Sequence, residues 1–596
     1  MVSGHEYSPL PPWARTDYCG ALRAADAGRE VALWGWVAAR RDHGGLIFID
    51  LRDREGVLQL VFNPAEAPAA HAVAGRARAE YYLAARGRVV MRSEGTANAE
   101  LPTGAIEVAV SEARILNSSL PPPFPIDGET TAEDVRLRYR YIDLRRPTMQ
   151  RNLRRRALAV QATRAYLDRA GFVEIETPIL WRATPEGARD YLVPSRVNPG
   201  RFYALPQSPQ LLKQLLMVSG FDRYYQIARC FRDEDLRANR QPEFSQVDIE
   251  MTGPRIEDVV ATGEGMMAEI YSRTLGIDIR PPFVRMPYAE AMERFGIDKP
   301  DLRFAMELKN LSAAFAGTQF KVFAEVLAGG GSVYGIALPG AHRLSRRELD
   351  ELTEGVRARY GAGLAWVKIA SDGWQGPIAR HVSDTERARA VGAAGLKTGD
   401  TLLMVAGDAA RVRPVLGDLR LQLGGRFGMR ETGELKFLWV VEFPLLEYDE
   451  TEKRMVSVNH PFTAPHPDDL ALLDSEPLKA RALAYDMVLN GEELGGGSIR
   501  IHHPELQLKL FELLGFPRDE AMRKFGFLIE ALGYGAPPHG GIAFGVDRIA
   551  MLVCGTDSLR EVMAFPKTQK AVDPMSGAPS AVDPRQLREL SIKVTT

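Results

Sequence analysis

Residues 225 to 251 constrain the chain more than any other stretch, because they specify a strand, a charged loop and a returning strand. Tyr225, Ile227 and the apolar pair Cys230-Phe231 mark the first strand. The chain then breaks into Arg232-Asp233-Glu234-Asp235 and returns through Gln241-Pro242-Glu243-Phe244-Ser245-Gln246. In the second strand Val247, Ile249 and Met251 alternate with Asp248 and Glu250, the period of a strand with one apolar face. An arginine there can fork onto a phosphate, since guanidinium geometry matches phosphate oxygens. The acidic residues can answer a metal or an amino group. A charged hairpin is more often simply a solvated one, so residue types alone leave both readings open.

At 596 residues the chain exceeds what one core can hold, and about three or four domains are expected. The 45% hydrophobic and 26% charged content fits a soluble globular protein. No apolar run approaches the roughly 20 residues that span a bilayer, and no charged-then-apolar leader opens the sequence. Cys19, Cys230 and Cys554 are odd in number and far apart, which argues against a disulfide framework and fits a reducing cytoplasm. A net charge of −2 announces no nucleic-acid partner, so any basic surface must be local. One segment qualifies: Arg136, Arg138, Arg140, Arg145, Arg146, Arg151, Arg154, Arg155 and Arg156. It reads either as a path for an RNA backbone or as a helix face laced with ion pairs.

From Val31 the sequence turns to short alternating strands with Gly-containing turns, the pattern of a small barrel. Ile47, Ile49 and Leu51 share one face, which turns Phe48 and Asp50 the other way. Phe48 is placed to stack an unpaired base and Gln59 to bond a base edge, unless Phe48 is simply core. Pro121 to Pro125 is stiff and ends this domain. A helix is expected from about Gln150, closed by Gly171, followed by a strand Val173 to Thr177. Thr184 to Asp190 is a loop rich in turn formers. Lys213 lies in the first turn of a helix Leu211 to Val218, ordinarily the place of a snorkelling surface lysine. Its functional alternative is a cation for a carboxylate. Between about Arg303 and Arg430 Gly-rich loops alternate with apolar runs, as in an inserted α+β domain. Further on, Phe437 to Val441 reads as a strand, Ala482 to Leu489 as a helix, and Gly495-Gly496-Gly497 as a point of close approach or a bulge.

Three stretches, in order, resemble the motifs of the class II aminoacyl-tRNA synthetases. Gly171 to Pro178 is similar to motif 1, Arg232-Asp233-Glu234 with Phe244 to motif 2, and Gly540 to Arg548 to motif 3. With Gln207-Ser208-Pro209-Gln210 and Gly495 to Arg500, the chain resembles the bacterial aspartate-activating members of subclass IIb over nearly its whole length. The resemblance implies a multidomain α+β fold. An OB-fold anticodon-binding barrel is expected over 1–120, a hinge over 121–147 and an antiparallel-sheet catalytic domain over 148–286 and 431–570. A bacterial insertion is expected over 287–430 and a C-terminal extension over 571–596. It also implies a homodimer built on the motif 1 helix and strand, with no membrane partner.

The same resemblance distributes roles. Activation needs an α-carboxylate to attack the α-phosphorus of ATP while charge on that phosphate is stabilised, with no covalent nucleophile. Arg232 and Arg548 are the expected catalytic cations. Arg232, Asp233, Glu234, Gln241, Phe244, Glu493, Gly545, Val546, Asp547 and Arg548 are expected to bind ATP, and Asp486 and Glu493 to hold Mg²⁺. L-Aspartate is expected against Glu186, Ser208, Gln210, Lys213, Arg232, Gln246, Asp248, Asn459 and Arg500. A buried Arg500-Lys213 pair facing the neutral amide of asparagine would keep uncompensated charge, which should cost several kcal/mol. Asn459 departs from the histidine usual in the family; it can hydrogen-bond but cannot carry a charge. The anticodon contacts are expected at Arg41, Asp42, His43, Phe48 and Gln59. His43 stands where members strict for the aspartate tRNA commonly have leucine. Relaxed reading is therefore expected, with tRNA(Asp) as substrate and tRNA(Asn) as the second candidate. Asparagine- or lysine-activating relatives fit Arg500 and the insertion less well. A catalytically dead RNA-binding relative would have lost Arg232, Glu493 or Arg548, and all three are present.

Overall fold

The computed structural model describes residues 6–126, 128, 131–184, 187–234, 239–340, 344–361, 363–430 and 433–595. The chain divides into two compact units, one drawn mainly from residues up to Arg155 and from 556–581, the other mainly from 156–555.

In the first unit five strands close into a barrel, in the order Glu30–His43, Leu46–Asp53, Gly56–Phe62, Ile106–Asn117 and Tyr82–Met91. Closure leaves no open sheet edge. The period-2 pattern dictates the inside: Leu33, Ile49, Leu51, Leu60, Leu83 and Val108 fill the core. Phe48, Asp50 and Gln59 take the opposite face and stay half-buried. The arginine-rich segment is not the free cationic path that one reading expected. Arg136 donates to Asp143 Oδ1 at 2.8 Å and pairs with Glu561. Arg140 is buried and donates to the carbonyls of Met563 and Ala564. Arg145 reaches Glu80 and Arg154 reaches Glu55, each at 2.9 Å. Most of these charges are absorbed by intramolecular partners, while Arg138 and Arg151 remain exposed.

The second unit is built on an eight-stranded sheet. Its order is Val284–Pro287, Phe437–Val441, Ala484–Leu489, Glu492–Ile499, His539–Gly545, Glu243–Thr252, Arg223–Phe231 and Val173–Glu174. The interior pairings are antiparallel and the pairing at each edge is parallel. Val247, Ile249 and Met251 project into a core with Trp439 and Phe544. Ala159 to Leu167 and the helix Ile256–Leu275 cover that core. Each large apolar side chain so buried contributes about 1.5–3 kcal/mol. Two expectations are corrected here. Ala484–Leu489 is a strand, not part of a helix. It is central and almost wholly apolar, and such a run has the same appearance in either element. The strand after Gly171 covers only Val173–Glu174.

Between these strands the chain forms a separate five-stranded sheet, with Ser332–Leu338, Thr401–Gly407 and Leu364–Ala370 at its centre. Helices Arg346–Tyr360 and Ala409–Arg426 pack one side through Leu349, Val356, Leu416 and Leu419. Lys321–Ala328 and Asp384–Ala394 pack the other through Phe323 and Ala390. Ser345 and Ser383 cap two of these helices by accepting from the backbone N–H three residues on.

Candidate active site

Asp248 and Glu250 are two apart on the strand Glu243–Thr252 and therefore share a face. Lys213, in the first turn of the helix Gln210–Val218, meets them there. Its Nζ lies 2.7 Å from Asp248 Oδ1 and 3.3 Å from Glu250 Oε2. Arg500 donates from Nε to Glu250 Oε1 and from Nη2 to Glu250 Oε2, each at 3.0 Å. Its Nη1 donates to Ser498 Oγ at 2.7 Å and faces His460 Nε2. All four charged side chains are at most 2% exposed. Gly541 makes room for them, since a Cβ there would stand 2.2 Å from Glu250 Oε2.

Burial raises the cost of every charge in this group, and the pairing decides which charges survive. Burial pushes the Glu250 carboxyl up, but Arg500 and Lys213 outweigh it and hold it below its usual value. For Asp248 burial wins over Lys213 and the carboxyl is raised. Burial, then Arg500 and Lys213, drives His460 well below the ordinary histidine range, so its ring is neutral. Two sequence readings are overturned. Lys213 is no snorkelling surface lysine, because the helix turns its first-turn face into the sheet. The pocket is also not a bare cationic pair, because Asp248 and Glu250 already balance Lys213 and Arg500. The donors of Lys213 and Arg500 are therefore already positioned by counter-ions.

Around this quartet, Gln246 accepts from Cys230 Sγ at 3.3 Å and is half-buried. Ser208 Oγ accepts from Gln210 N–H at 3.3 Å. Gln210 Nε2 and Asn459 Oδ1 are buried and have no partner among the described residues. Glu186 lies outside the described residues. Just past it, Gln207 clamps the loop: its Nε2 donates to Ala188 O at 2.8 Å and Asp190 Oδ1 at 2.6 Å, and its Oε1 accepts from Ala188 N–H.

Arg232 follows the strand Arg223–Phe231 and holds its guanidinium carbon 5.2 Å from the centre of the Phe244 ring. It is 3.9 Å from Glu234, and its buried Nε has no partner among the described residues. Gln241 is buried close by in sequence. Asp233 is tied through its backbone to Arg189, whose carbonyl accepts its N–H at 3.1 Å. Arg548, at the start of the helix Val546–Cys554, donates to Glu493 O and lies 3.9 Å from the Glu492 and Glu493 carboxylates. Asp547 has both carboxylate oxygens engaged within the fold. One oxygen accepts from Arg156 Nη1 at 2.6 Å and the other from Ser245 N–H at 2.8 Å, which fixes the helix start to the sheet. Val546 is buried, so it and Gly545 present backbone there.

Asp486 lies opposite Gly496 in the sheet, and a Cβ on Gly496 would stand 2.5 Å from Asp486 Oδ1. Burial pushes the Asp486 carboxyl well up, and the negative charges of Glu493 and Asp298 push it further. A carboxyl held up by burial and by neighbouring negative charge is a donor that a hard divalent cation relieves. These residues fit Mg²⁺.

In the first unit Phe48 pairs with Arg41 on one side and Val61 on the other. Arg41 Nη2 donates to Asp50 Oδ1 at 2.9 Å and Gln59 Oε1 at 3.2 Å, and Gln59 Nε2 donates to Glu107. Asp42 and His43 are exposed at the turn between the first two strands. Glu250, His460 and Ser498 have no site role in the sequence reading. For Glu250 the signal was present, since it shares a strand face with Asp248. His460 and Ser498 carried no signal beyond their neighbours Asn459 and Gly497.

Residues 132–569 match the class II tRNA synthetases (D, K and N), and residues 31–116 match the OB-fold nucleic acid binding domain. The chain is 54% identical to the aspartate–tRNA(Asp/Asn) ligase of Geotalea uraniireducens, covering 98% of this chain and 99% of that one. It is 55% identical to the aspartate–tRNA(Asp/Asn) ligase of Nitratidesulfovibrio vulgaris, covering 98% and 96%. Among solved structures it resembles the asparaginyl-tRNA synthetase of Pyrococcus horikoshii complexed with asparaginyl-adenylate. The TM-score is 0.60 at 19% identity, covering 93% of this chain and 98% of that one.

Proposed function

Since this chain belongs to the class II tRNA synthetases of the D, K and N group, we propose that it activates L-aspartate with ATP and transfers it to tRNA. A carboxylate oxygen of aspartate attacks the α-phosphorus of ATP, and pyrophosphate leaves. A hydroxyl at the 3′ end of tRNA then attacks the carbonyl carbon of the adenylate, and AMP leaves. The observation that carries the aspartate reading is the buried quartet of Lys213, Asp248, Glu250 and Arg500. It presents guanidinium and ammonium donors whose positions are set before the ligand arrives. Arg232 would meet the α-phosphate with Phe244 under the adenine, and Arg548 would meet the far phosphates. Asp486 and Glu493 would hold Mg²⁺, which when bound neutralises phosphate charge. Glu186, Ser208, Gln210, Gln246 and Asn459 would complete the amino-acid site, and Glu234 and Gln241 the nucleotide site. Asp547 would act only as a structural anchor.

The barrel would bind the anticodon with Arg41, Asp42, His43, Phe48 and Gln59, and the enzyme would work in the cytoplasm as a homodimer. The RNA substrates are tRNA(Asp) and tRNA(Asn). Exposed His43 at the barrel turn supports the second, as do the names of the relatives at 54% and 55% identity. Charging of the two tRNAs with labelled aspartate, side by side, tests both readings. Wild type is expected to charge both, and His43→Leu to lower the tRNA(Asn) to tRNA(Asp) ratio. An unchanged ratio removes His43 from the reading. Charging of tRNA(Asp) alone makes the enzyme strict. Absence of ATP–pyrophosphate exchange with aspartate overturns the function itself.

A further inference from the structure

His539 opens the strand His539–Gly545 and is completely buried. Its backbone carbonyl accepts from Arg500 N–H at 2.9 Å. Its ring lies between two partners: Nδ1 is 2.8 Å from Pro537 O, and Nε2 is 3.1 Å from Gln214 Oε1. Gln214 is equally buried and follows Lys213 in the helix Gln210–Val218. One histidine thus touches both elements that carry the pocket cations, Arg500 through its main chain and the Lys213 helix through its ring.

The chemistry of the ring fixes its state. A carbonyl only accepts, so Nδ1 carries the proton. Burial and the nearby Arg500 keep the imidazole neutral, against the pull of Glu250. Nε2 is then an acceptor and requires a donor from Gln214. The Gln214 Nε2 group, which otherwise has no partner among the described residues, supplies it once the amide turns that end toward the ring.

We infer that His539 is a positioning residue for aspartate selection, which with Gln214, and beside the direct Glu250 bridge, sets the separation of Lys213 from Arg500. Bidentate capture of a carboxylate tolerates errors of only about 0.5 Å in its donors. A slack link between helix and strand would therefore appear first as weaker aspartate binding. The inference rests on the aspartate reading above.

ATP–pyrophosphate exchange, normalised by active-site titration, tests it. His539→Leu and Gln214→Leu are each expected to raise KM for aspartate about tenfold, the scale of one buried hydrogen bond. In competent sites kcat and KM for ATP should stay within about twofold, as for a loss confined to aspartate binding. The double variant should be no worse than either single one, because both cut the same link. His539→Gln, which can still reach Gln214, should recover most of the loss. If the leucine variants do not fold, His539→Asn, too short for that reach, replaces them in the comparison with His539→Gln. An unchanged KM for aspartate in competent sites overturns the inference, as does a parallel rise in KM for ATP or additive losses in the double variant. Failure of wild type to exchange with aspartate would instead sink the functional reading.

Discussion

Glu250 lies between Arg500 and Lys213, giving both carboxylate oxygens to Arg500 and sharing Oε2 with Lys213. Removing one member of such a buried group leaves an uncompensated charge, which ordinarily costs about 3–5 kcal/mol. Each member of the quartet thus depends on the presence of the others. His460, against Arg500, gives this balance a pH dependence. Its folded-state pKa lies well below the usual histidine value of about 6.5. The folded protein then binds fewer protons than the unfolded chain in mild acid. Stability is full above that value and falls as pH drops below it, by about 1.4 kcal/mol per pH unit for one group. Thermal unfolding between pH 7.5 and 5.5 should show a falling Tm in wild type and a shallower fall in His460→Gln. A residual slope is expected from His539, whose pKa is lowered as well. Equal slopes would show that His460 is already free to titrate. Arg500 and Lys213 are legible in the sequence as cations suited to a carboxylate, and Asp248 as an acid for the remaining polar atoms of the amino acid. Their pairing is not, because sheet register brings Glu250 and Arg500 together across 250 positions.

The strand Ala484–Leu489 and its neighbour Glu492–Ile499 illustrate what is legible at the level of elements. A buried central strand shows no alternation, so its apolar run was read as helix. The glycines are points of close backbone approach, as the sequence suggests, while the register slip between Met487 and Val488 falls at Leu494, beside Gly495. Gly496 gives this a test. Its Cβ would stand 2.5 Å from Asp486 Oδ1, so Gly496→Ala must displace the carboxylate expected to hold Mg²⁺. MgATP should raise the Tm of wild type by mass action and leave that of Gly496→Ala almost unmoved. Gly526, inside the helix Arg518–Leu532, is the control, with Met522 Cε 3.6 Å from its added Cβ. Gly526→Ala should keep the MgATP response and gain up to about 1 kcal/mol from helix propensity. A full MgATP shift in Gly496→Ala would free Asp486 from the proposed role.

For the whole molecule, the edge of the large sheet is telling. Val173, Ile179, Leu180, Leu192 and Phe202 are all about half exposed along residues 173–202. An exposed apolar set of this kind usually marks an interface. Sedimentation of the free protein should return twice the mass of the chain, and Val173→Asp with Leu180→Asp should shift it toward monomer. A monomeric wild type would refute the homodimer. The barrel was legible because its turns and alternation are local. The arginine-rich segment was ambiguous because only the folded chain reveals which acids lie within reach. One feature of the sheet bears on redesign. Added Cβ atoms at Gly495, Gly497 and Gly541 would meet the Ala543, Gly541 and Ile249 carbonyls at 2.5, 2.1 and 2.0 Å. The sheet surface at these three positions is thus bare main chain, and mutagenesis has nothing there to exchange. A laboratory seeking a different amino-acid substrate must work from the walls. There Lys213 and Arg500 are each bound to an opposing carboxylate. Asn459, beside His460, can be varied without upsetting a charge.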